Sequence, residues 1–200
     1  YSSAASDVYK RQLLCWDPHK QMGVPIPNSL LFVRRKQDFN RMAVYGNYFN
    51  RPDDPEPNPG LKSPPSTRPF SALSLVTSIR HQGLSRLRER LRAPIAAVEG
   101  LIEKLKHKKE IEICLKPELG IFCYRIIPYS FPVNKLNDLQ KNIFQSTKQE
   151  GKRSLSLTCL GNRTVLRLVA LSPFVTTQSL LDTVEYTLSL IHISEPTRLR

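Results

Sequence analysis

Residues 15–27 read CWDPHKQMGVPIP and lead into an apolar run, LLFV, at residues 30–33. Lys20 stands in the middle of this segment, directly after His19, and most of its neighbours are apolar. Such surroundings favour a reactive amine, because burial disfavours the ammonium form and frees the lone pair that attacks a carbonyl. We predict a stiff turn around Lys20, followed by a buried strand at residues 30–33. On the residues alone, an ordinary solvated lysine remains the alternative.

The run DPHKQMGVP at residues 17–25 resembles the cofactor-lysine segment of a family of pyridoxal-phosphate-dependent amino acid decarboxylases. This group II family includes glutamate, cysteine-sulfinate and aromatic amino acid decarboxylases. The resemblance implies that Lys20 forms an internal aldimine with pyridoxal 5′-phosphate and that His19 belongs to the cofactor-binding residues. The implied reaction is the release of carbon dioxide from an L-amino acid substrate, and the implied full-length protein is a homodimer.

The two ends of the chain, residues 1–12 and 188–200, resemble translated sequencing-adapter read-through and are left out of the fold prediction. Ordinary terminal tails, with an apolar helix end at residues 188–193, are the alternative. On the first interpretation, residues 13–187 are a fragment. The resemblance then implies that the phosphate-binding loop, the ring-stacking His and the Asp that pairs with the pyridine nitrogen lie outside this chain, so we expect it to be inactive alone.

A long proline-rich segment follows the Lys20 region. Residues 52–69 hold seven of the sixteen prolines, and we predict a mobile loop over about residues 45–69. The resemblance implies a loop Tyr that covers the cofactor and delivers a proton to the substrate carbon. Tyr48 matches best, Tyr45 is the alternative, and a Tyr that only packs the loop is a third possibility. A phenol suits this step because it stays protonated at neutral pH.

The next elements connect two predicted domains of an α/β fold. Arg68 precedes a predicted helix at residues 70–79, which Gly83 closes, and it binds either a phosphate or carboxylate of the active site or a structural partner. An apolar stripe then runs from residue 84 to residue 105, and Pro94 interrupts it. Because proline removes an amide donor, we place a helix end or kink and the domain boundary near Arg92.

Residues 13–92 are therefore predicted to be the C-terminal part of a fold-type-I large domain, and residues 93–187 a small α+β domain. Alternating apolar residues predict strands at residues 111–115, 121–127, 155–160 and 165–171, with a hairpin turn at Gly161-Asn162. A helix is predicted from an Asn134 N-cap to Gly151, and a last helix from Thr176-Thr177. These elements predict a mostly antiparallel sheet with helices on one face.

Arg167 places a charge within the last apolar strand, where a buried guanidinium needs a partner. The resemblance implies that it faces the active site and binds the substrate carboxylate. Strand alternation leaves a second interpretation open, in which Arg167 points to solvent.

The formal net charge of +13 raises the question of a nucleic-acid partner. The arginines of residues 86–92 alternate with leucines on a predicted amphipathic helix, and such a charged face is usually solvated. No aromatic stacking motif accompanies the charge. We therefore predict no nucleic-acid partner, and a basic nucleic-acid-binding module is the less favoured alternative.

No run of about eighteen apolar residues is present, so we predict no membrane partner and, by default, a cytoplasmic protein. Cys15, Cys114, Cys123 and Cys159 lack metal-ligand spacing, and we predict reduced, mostly buried thiols and no metal site. Another fold-type-I pyridoxal-phosphate enzyme, either an aminotransferase or an aldehyde-forming lyase, remains the alternative enzyme class.

Overall fold

A computed structural model describes residues 12–48, 50–51, 53, 59–62 and 67–191. The chain forms two compact units that divide between Gly83 and Leu84, ahead of the boundary predicted at Arg92. None of the helices in these described ranges has the length and apolar content that crossing a bilayer requires.

The first unit contains a two-stranded antiparallel sheet. Strand β1, Leu13–Trp16, pairs with strand β2, Leu30–Val33, and the sequence analysis predicted only the second of these strands. Burial also differs from the prediction, because Leu31 and Phe32 of β2 are 46% and 49% exposed. An apolar run sets the strand conformation, but a two-stranded sheet cannot cover its own two faces. Two 3₁₀ turns, Lys36–Met42 and Pro59–Lys62, follow the sheet.

Helix α1 spans Ser71–Leu105 and contains one non-helical residue, Gly83, with φ 75° and ψ 159°. This left-handed φ is strained for residues with a side chain, so the predicted glycine stop is confirmed. Of the two outcomes predicted near Arg92, a helix end or a kink, the helix end is not observed, since the helix continues through Pro94. Pro94 is buried within the helix, and its side chain lies next to Gly120.

The second unit is built on a four-stranded antiparallel sheet. Its strands are β3, Ile111–Ile113, β4, Ile121–Ile126, β5, Ser156–Leu160, and β6, Arg163–Val169, in the order β3-β4-β6-β5. All three neighbouring pairs are antiparallel, as predicted. The predicted hairpin turn is also present, since Leu160 pairs with Arg163 and Gly161 has a φ of 59°.

Helices cover one face of this sheet. These are the part of α1 after Gly83, α2 (Leu136–Glu150) and α3 (Thr177–Ser189). Side chains of the inner sheet face and of the helices form one core, whose fully buried members include Val98, Leu101, Phe122, Tyr124, Ile126, Ile143, Leu166 and Val184. This arrangement is the predicted α+β domain. The sheet buries one face against the helices, and this single core stabilises the unit.

The helix ends show where local signals succeed and fail. Thr176 caps α3, because its side chain accepts the Ser179 amide at 3.1 Å and the Ser179 hydroxyl lies 3.2 Å from the Thr176 amide. Gly151 closes α2 with a φ of 66°, as predicted. The N-cap of α2 is Lys135, not Asn134, because a 3₁₀ turn over Val133–Lys135 precedes the helix.

The expected adapter-like ends fall largely outside the described residues, which lack residues 1–11 and 192–200. Within the described part, Leu190 is only 3% exposed and belongs to the core of the second unit. The ordered structure of the second unit therefore continues past the predicted limit at residue 187.

Candidate functional site

The segment around Lys20 forms two consecutive tight turns in the first unit. The Lys20 amide donates to the Asp17 carbonyl at 3.0 Å, and the Gly23 amide donates to the Lys20 carbonyl at 3.2 Å. Gly23 has a φ of 66°, which favours glycine at this position. Met22 and Val24 are each 3% exposed and anchor the segment. The predicted stiff turn is therefore present, and its backbone fixes the base of the Lys20 side chain.

Asn28 connects this segment to the beginning of α1. Its side-chain amide donates to the Ser71 carbonyl at 2.7 Å and to the Ser74 hydroxyl at 3.2 Å. Asn28 is 3% exposed, so these hydrogen bonds are shielded from water. The sequence analysis did not identify Asn28, because an isolated Asn before a strand resembles an ordinary turn residue.

His19 is half-buried, and its ring is held by the Asn28 backbone. Its Nδ1 lies 2.5 Å from the Asn28 carbonyl oxygen and 3.4 Å from the Asn28 amide nitrogen. One nitrogen cannot donate to the carbonyl and accept from the amide at once, and the shorter contact assigns the proton to Nδ1. The imidazole is thus oriented by its Nδ1–H, which leaves Nε2 as the nitrogen that can meet another group.

The Lys20 amine does not have the apolar environment that we predicted. The side chain is 58% exposed, and Nζ donates to Asp17 Oδ2 at 2.6 Å. This hydrogen bond raises the pKa of Lys20 above its ordinary value. Hydrogen bonds from Lys20 and Ser29 hold the pKa of the Asp17 carboxyl at about 2. In this structure Lys20 is therefore an ion-paired ammonium, because the turn brings a carboxylate beside the amine.

The residues predicted on the loop belong to the same unit. Tyr48 is 89% exposed and Tyr45 is 51% exposed. Arg68 is exposed as well. Residues 49, 52, 54–58 and 63–66 of the predicted mobile loop lie outside the described residues. The roles of Tyr48, Tyr45 and Arg68 therefore remain predictions.

Arg167 lies in the second unit, on the sheet face opposite the helices. It is half-buried, and its neighbours along β6, Leu166 and Leu168, point into the core. Across the sheet it pairs with Cys123 of β4. Within the described ranges no hydrogen bond or ion pair reaches its guanidinium, although the Ser156 hydroxyl donates to its backbone carbonyl at 3.2 Å. Alternation along this strand is observed, and the guanidinium lies on the sheet face opposite the core helices.

Three arginines share that sheet face with the buried side chains of Cys123 and Val165. Arg125 is 6% exposed and donates from Nη2 to the Asn137 side-chain oxygen at 2.9 Å. Arg163 forms an ion pair with Glu112. The two faces of the sheet thus differ in chemistry, with an apolar core on one side and several guanidinium groups on the other.

All four cysteines are free thiols. Cys123 is buried and Cys114 is half-buried, but Cys15 and Cys159 are exposed, so the predicted burial holds for only part of the set. Burial raises the pKa of the Cys114 thiol to about 11 and also raises the pKa of Cys123. Among the described residues, no group of His, Cys, Asp and Glu side chains is arranged to hold a metal ion.

Comparison with known proteins gives matches over most of the chain. The family model described as the pyridoxal-dependent decarboxylase conserved domain matches residues 8–127, which include the Lys20 turn. L-2,4-diaminobutyrate decarboxylase from Acinetobacter baumannii is 24% identical over 163 residues, which are 80% of this chain and 32% of that protein. Aromatic-L-amino-acid decarboxylase from Bacillus atrophaeus is 25% identical over 186 residues, which are 90% of this chain and 39% of that protein. The chain thus spans about a third of the length of these relatives.

Solved structures share the fold. A crystal structure of Oryza sativa TDC with PLP and tryptamine matches with a TM-score of 0.79 and 18% identity, over 92% of this chain and 40% of that one. Mouse CSAD in its apo form matches with a TM-score of 0.73 and 20% identity, over the same shares of the two chains. These likenesses confirm the predicted fold class, in which part of a large α/β domain is followed by a small α+β domain.

Proposed function

This chain belongs to the pyridoxal-dependent decarboxylase family, and we propose from that membership that it is part of an enzyme that releases carbon dioxide from an L-amino acid. The observation that supports this proposal is the family match over residues 8–127, within which Lys20 stands on a rigid turn. Bound pyridoxal phosphate supplies an electron sink for the electrons that remain when the carboxylate leaves. The proposal extends to the longer protein, because this chain spans only 32% and 39% of two decarboxylase relatives.

The residues of the turn fit a cofactor that carries an aldehyde. Lys20 presents a primary amine whose side chain is 58% exposed, so an aldehyde can approach it. His19 has its Nδ1 occupied by the Asn28 carbonyl, so its orientation is set before any ligand arrives. Lys20 would hold the cofactor covalently through its amine, and the His19 ring would contact it. For this to happen, Lys20 must first release its proton and leave Asp17.

Two further side chains have proposed roles in the reaction. Tyr48 carries a phenol that holds its proton at neutral pH, and we assign it the proton that reaches the substrate carbon after carbon dioxide has left. Tyr45 remains the alternative donor. Arg167 carries a half-buried guanidinium on the sheet face opposite the core helices, and we assign it the substrate carboxylate, which it can bind through two parallel hydrogen bonds. We assign Arg68 the binding of a phosphate or carboxylate, because a guanidinium can form two parallel hydrogen bonds with either group.

The substrate is proposed only as a class. The relatives are named for 2,4-diaminobutyrate, aromatic and acidic amino acids, so similarity to them supports an L-amino acid without selecting a side chain. A guanidinium that binds the α-carboxylate is compatible with all of these substrates. We further propose that the longer protein is a cytoplasmic homodimer that has neither nucleic acid nor membrane as a partner.

The test uses the protein extended to the length of its relatives. After incubation with pyridoxal phosphate and reduction with borohydride, peptide mass spectrometry should find the cofactor on Lys20. Lys20→Ala should remove this label, and Lys62→Ala should leave it in place. Labelling that survives Lys20→Ala unchanged would contradict the assignment.

Carbon dioxide release is measured on aromatic, acidic and diamino L-amino acids, with amino-group transfer followed in the same samples. Release of carbon dioxide from at least one class, with little transfer, is the expected result. Amino-group transfer without carbon dioxide would favour an aminotransferase instead. Tyr48→Phe should reduce product formation by about a hundredfold or more, as expected for loss of a general acid.

A further inference from the structure

Asp17 is held in place at both of its carboxylate oxygens. Oδ2 accepts the Lys20 ammonium at 2.6 Å, and Oδ1 accepts the Ser29 hydroxyl at 2.6 Å. The Cys15 thiol lies 3.8 Å from Oδ1. The backbone contributes as well, because the Lys20 amide donates to the Asp17 carbonyl. The carboxylate therefore cannot turn away from the amine without breaking its bond to Ser29.

Two other ion pairs of this chain provide a comparison. Lys106–Glu103 and Lys141–Asp138 have the same three-residue spacing, with N···O distances of 2.6 Å and 3.0 Å. Their lysines are 52% and 53% exposed, close to the 58% of Lys20. The acids differ, because Glu103 and Asp138 are 67% and 70% exposed whereas Asp17 is only 23% exposed.

This difference affects the strength of the pair. An exposed pair loses most of its Coulomb energy to water and must also order two mobile side chains. In the Lys20 pair, Ser29 and the turn have already ordered the acid, so less entropy is lost when the ammonium binds. We therefore expect Asp17 to hold its lysine more firmly than Glu103 or Asp138 holds theirs.

We propose that Asp17 is a positioning residue, which keeps the Lys20 amine protonated and bound to its carboxylate until the cofactor binds. This inference rests on the proposed function. An ammonium has no lone pair, so Lys20 must first give its proton to a solvent base. The neutral amine that results is the group that would hold the aldehyde of the cofactor. Asp17 thereby sets the rate and pH at which Lys20 becomes a nucleophile.

The electrostatics of the turn agree with this role. The hydrogen bond and charge of Asp17 raise the pKa of Lys20, and the Cys15 thiol contributes in the same direction. The charge of His19 acts on Asp17 and favours its ionised form. His19 and Cys15 are the other titratable groups of the described chain that act on this pair.

Competitive acetylation measures the reactivity of each lysine without any cofactor. The chain is treated with a limiting amount of isotope-labelled acetic anhydride from neutral to alkaline pH, and each lysine peptide is quantified by mass spectrometry. Only the neutral amine attacks the anhydride: its nitrogen bonds to the acyl carbon, acetate leaves, and the amine proton passes to solvent. The rate at each pH therefore reports the fraction of Lys20 that is unprotonated.

Asp17→Asn should speed Lys20 acetylation at neutral pH by about two- to fivefold, the range expected when a partly exposed ion pair is lost. Ser29→Ala should act in the same direction with a smaller effect, and Asp17→Glu should restore slow acetylation. In the matched control, Glu103→Gln should change Lys106 by less than Asp17→Asn changes Lys20. Added salt should narrow the difference between wild type and Asp17→Asn, because it screens the pair.

Equal Lys20 rates in wild type and Asp17→Asn, with unchanged circular dichroism, would overturn the role of Asp17. The same is true if Glu103→Gln accelerates Lys106 as much as Asp17→Asn accelerates Lys20. If Asp17→Asn alters the fold, Ser29→Ala decides, and an unchanged Lys20 rate in that variant overturns the role as well. None of these outcomes affects the borohydride test of the proposed function. Conversely, failure of the cofactor to label Lys20 would leave the acetylation result standing.

Discussion

Gln140 should be one of the most important polar residues for the stability of the second unit. It is fully buried on α2, and its side-chain oxygen accepts the Ile126 amide at 3.0 Å. Its side-chain nitrogen donates to the carbonyls of Ile126 at 2.8 Å and Leu136 at 3.2 Å. The pairing of β4 with β6 ends at Tyr124. On that side of β4, the Gln140 side chain therefore supplies the hydrogen bonds of Ile126, the last residue of the strand.

Replacing Gln140 with Met keeps a similar shape and removes all three hydrogen bonds. The Ile126 amide and carbonyl then remain buried without these partners, at a cost of about 1–3 kcal/mol for each group. The added burial of the Met side chain returns about 1 kcal/mol. We therefore expect Gln140→Met to lower the free energy of unfolding by about 3 kcal/mol, a large part of the usual stability of a domain.

Urea unfolding, followed by far-ultraviolet circular dichroism, measures this loss, and amide hydrogen exchange locates it. The Ile126 amide should exchange much faster in the variant. Gln178→Met is the matched control, because Gln178 is exposed on α3 and should change stability by less than about 0.5 kcal/mol. A loss below about 1 kcal/mol in Gln140→Met, with Ile126 still protected, would refute the argument.

Three further predictions follow from individual positions. Gly120→Ala would place a Cβ 2.2 Å from the Ala170 carbonyl oxygen, so we expect a loss of stability of about 2 kcal/mol or more in urea unfolding. Cys114, whose pKa is raised to about 11, should react with a disulfide reagent at least about tenfold more slowly than exposed Cys159, as thiol labelling would measure. The Asp17 carboxyl has a pKa of about 2, below its unfolded value of about 3.9, so its contribution to stability is present above about pH 4 and disappears as pH falls towards 2; carboxyl NMR titration would measure this.

The elements that could be predicted from the sequence are those with local causes. Gly83, Gly151 and Gly161 all have positive φ values, and each marks a helix break, a helix end or a hairpin turn as predicted. Thr176 caps α3 through hydrogen bonds to a residue three positions away. In each case the signal and its effect lie within a few residues, so no knowledge of tertiary contacts was needed.

The features that the sequence did not predict depend on distant contacts. Strand β1 exists because it pairs with β2, and its four residues carry little signal of their own. Pro94 remains within α1, where it is buried against residues such as Gly120 that are distant in the sequence. Gln140 resembles a solvated helix residue until Ile126 is placed next to it.

The candidate site shows the same division. The family resemblance and the turn residues identified Lys20 and His19, and the structure places both on a rigid turn. The ion pair with Asp17 was not predicted, although the acid lies three residues before the lysine. Spacing alone could not show that Ser29 holds the carboxylate, since that contact spans twelve positions.

Asn28 connects the beginning of α1 to the ring of His19. Its side-chain amide is bound to Ser71 at the beginning of α1, and its carbonyl is bound to the imidazole of His19. A displacement at the start of this helix would therefore pull the imidazole with it and change the angle that the ring presents to a ligand. Asn28→Leu would separate these movements, because it removes the side-chain hydrogen bond to Ser71 while the backbone carbonyl of residue 28 still holds the His19 ring.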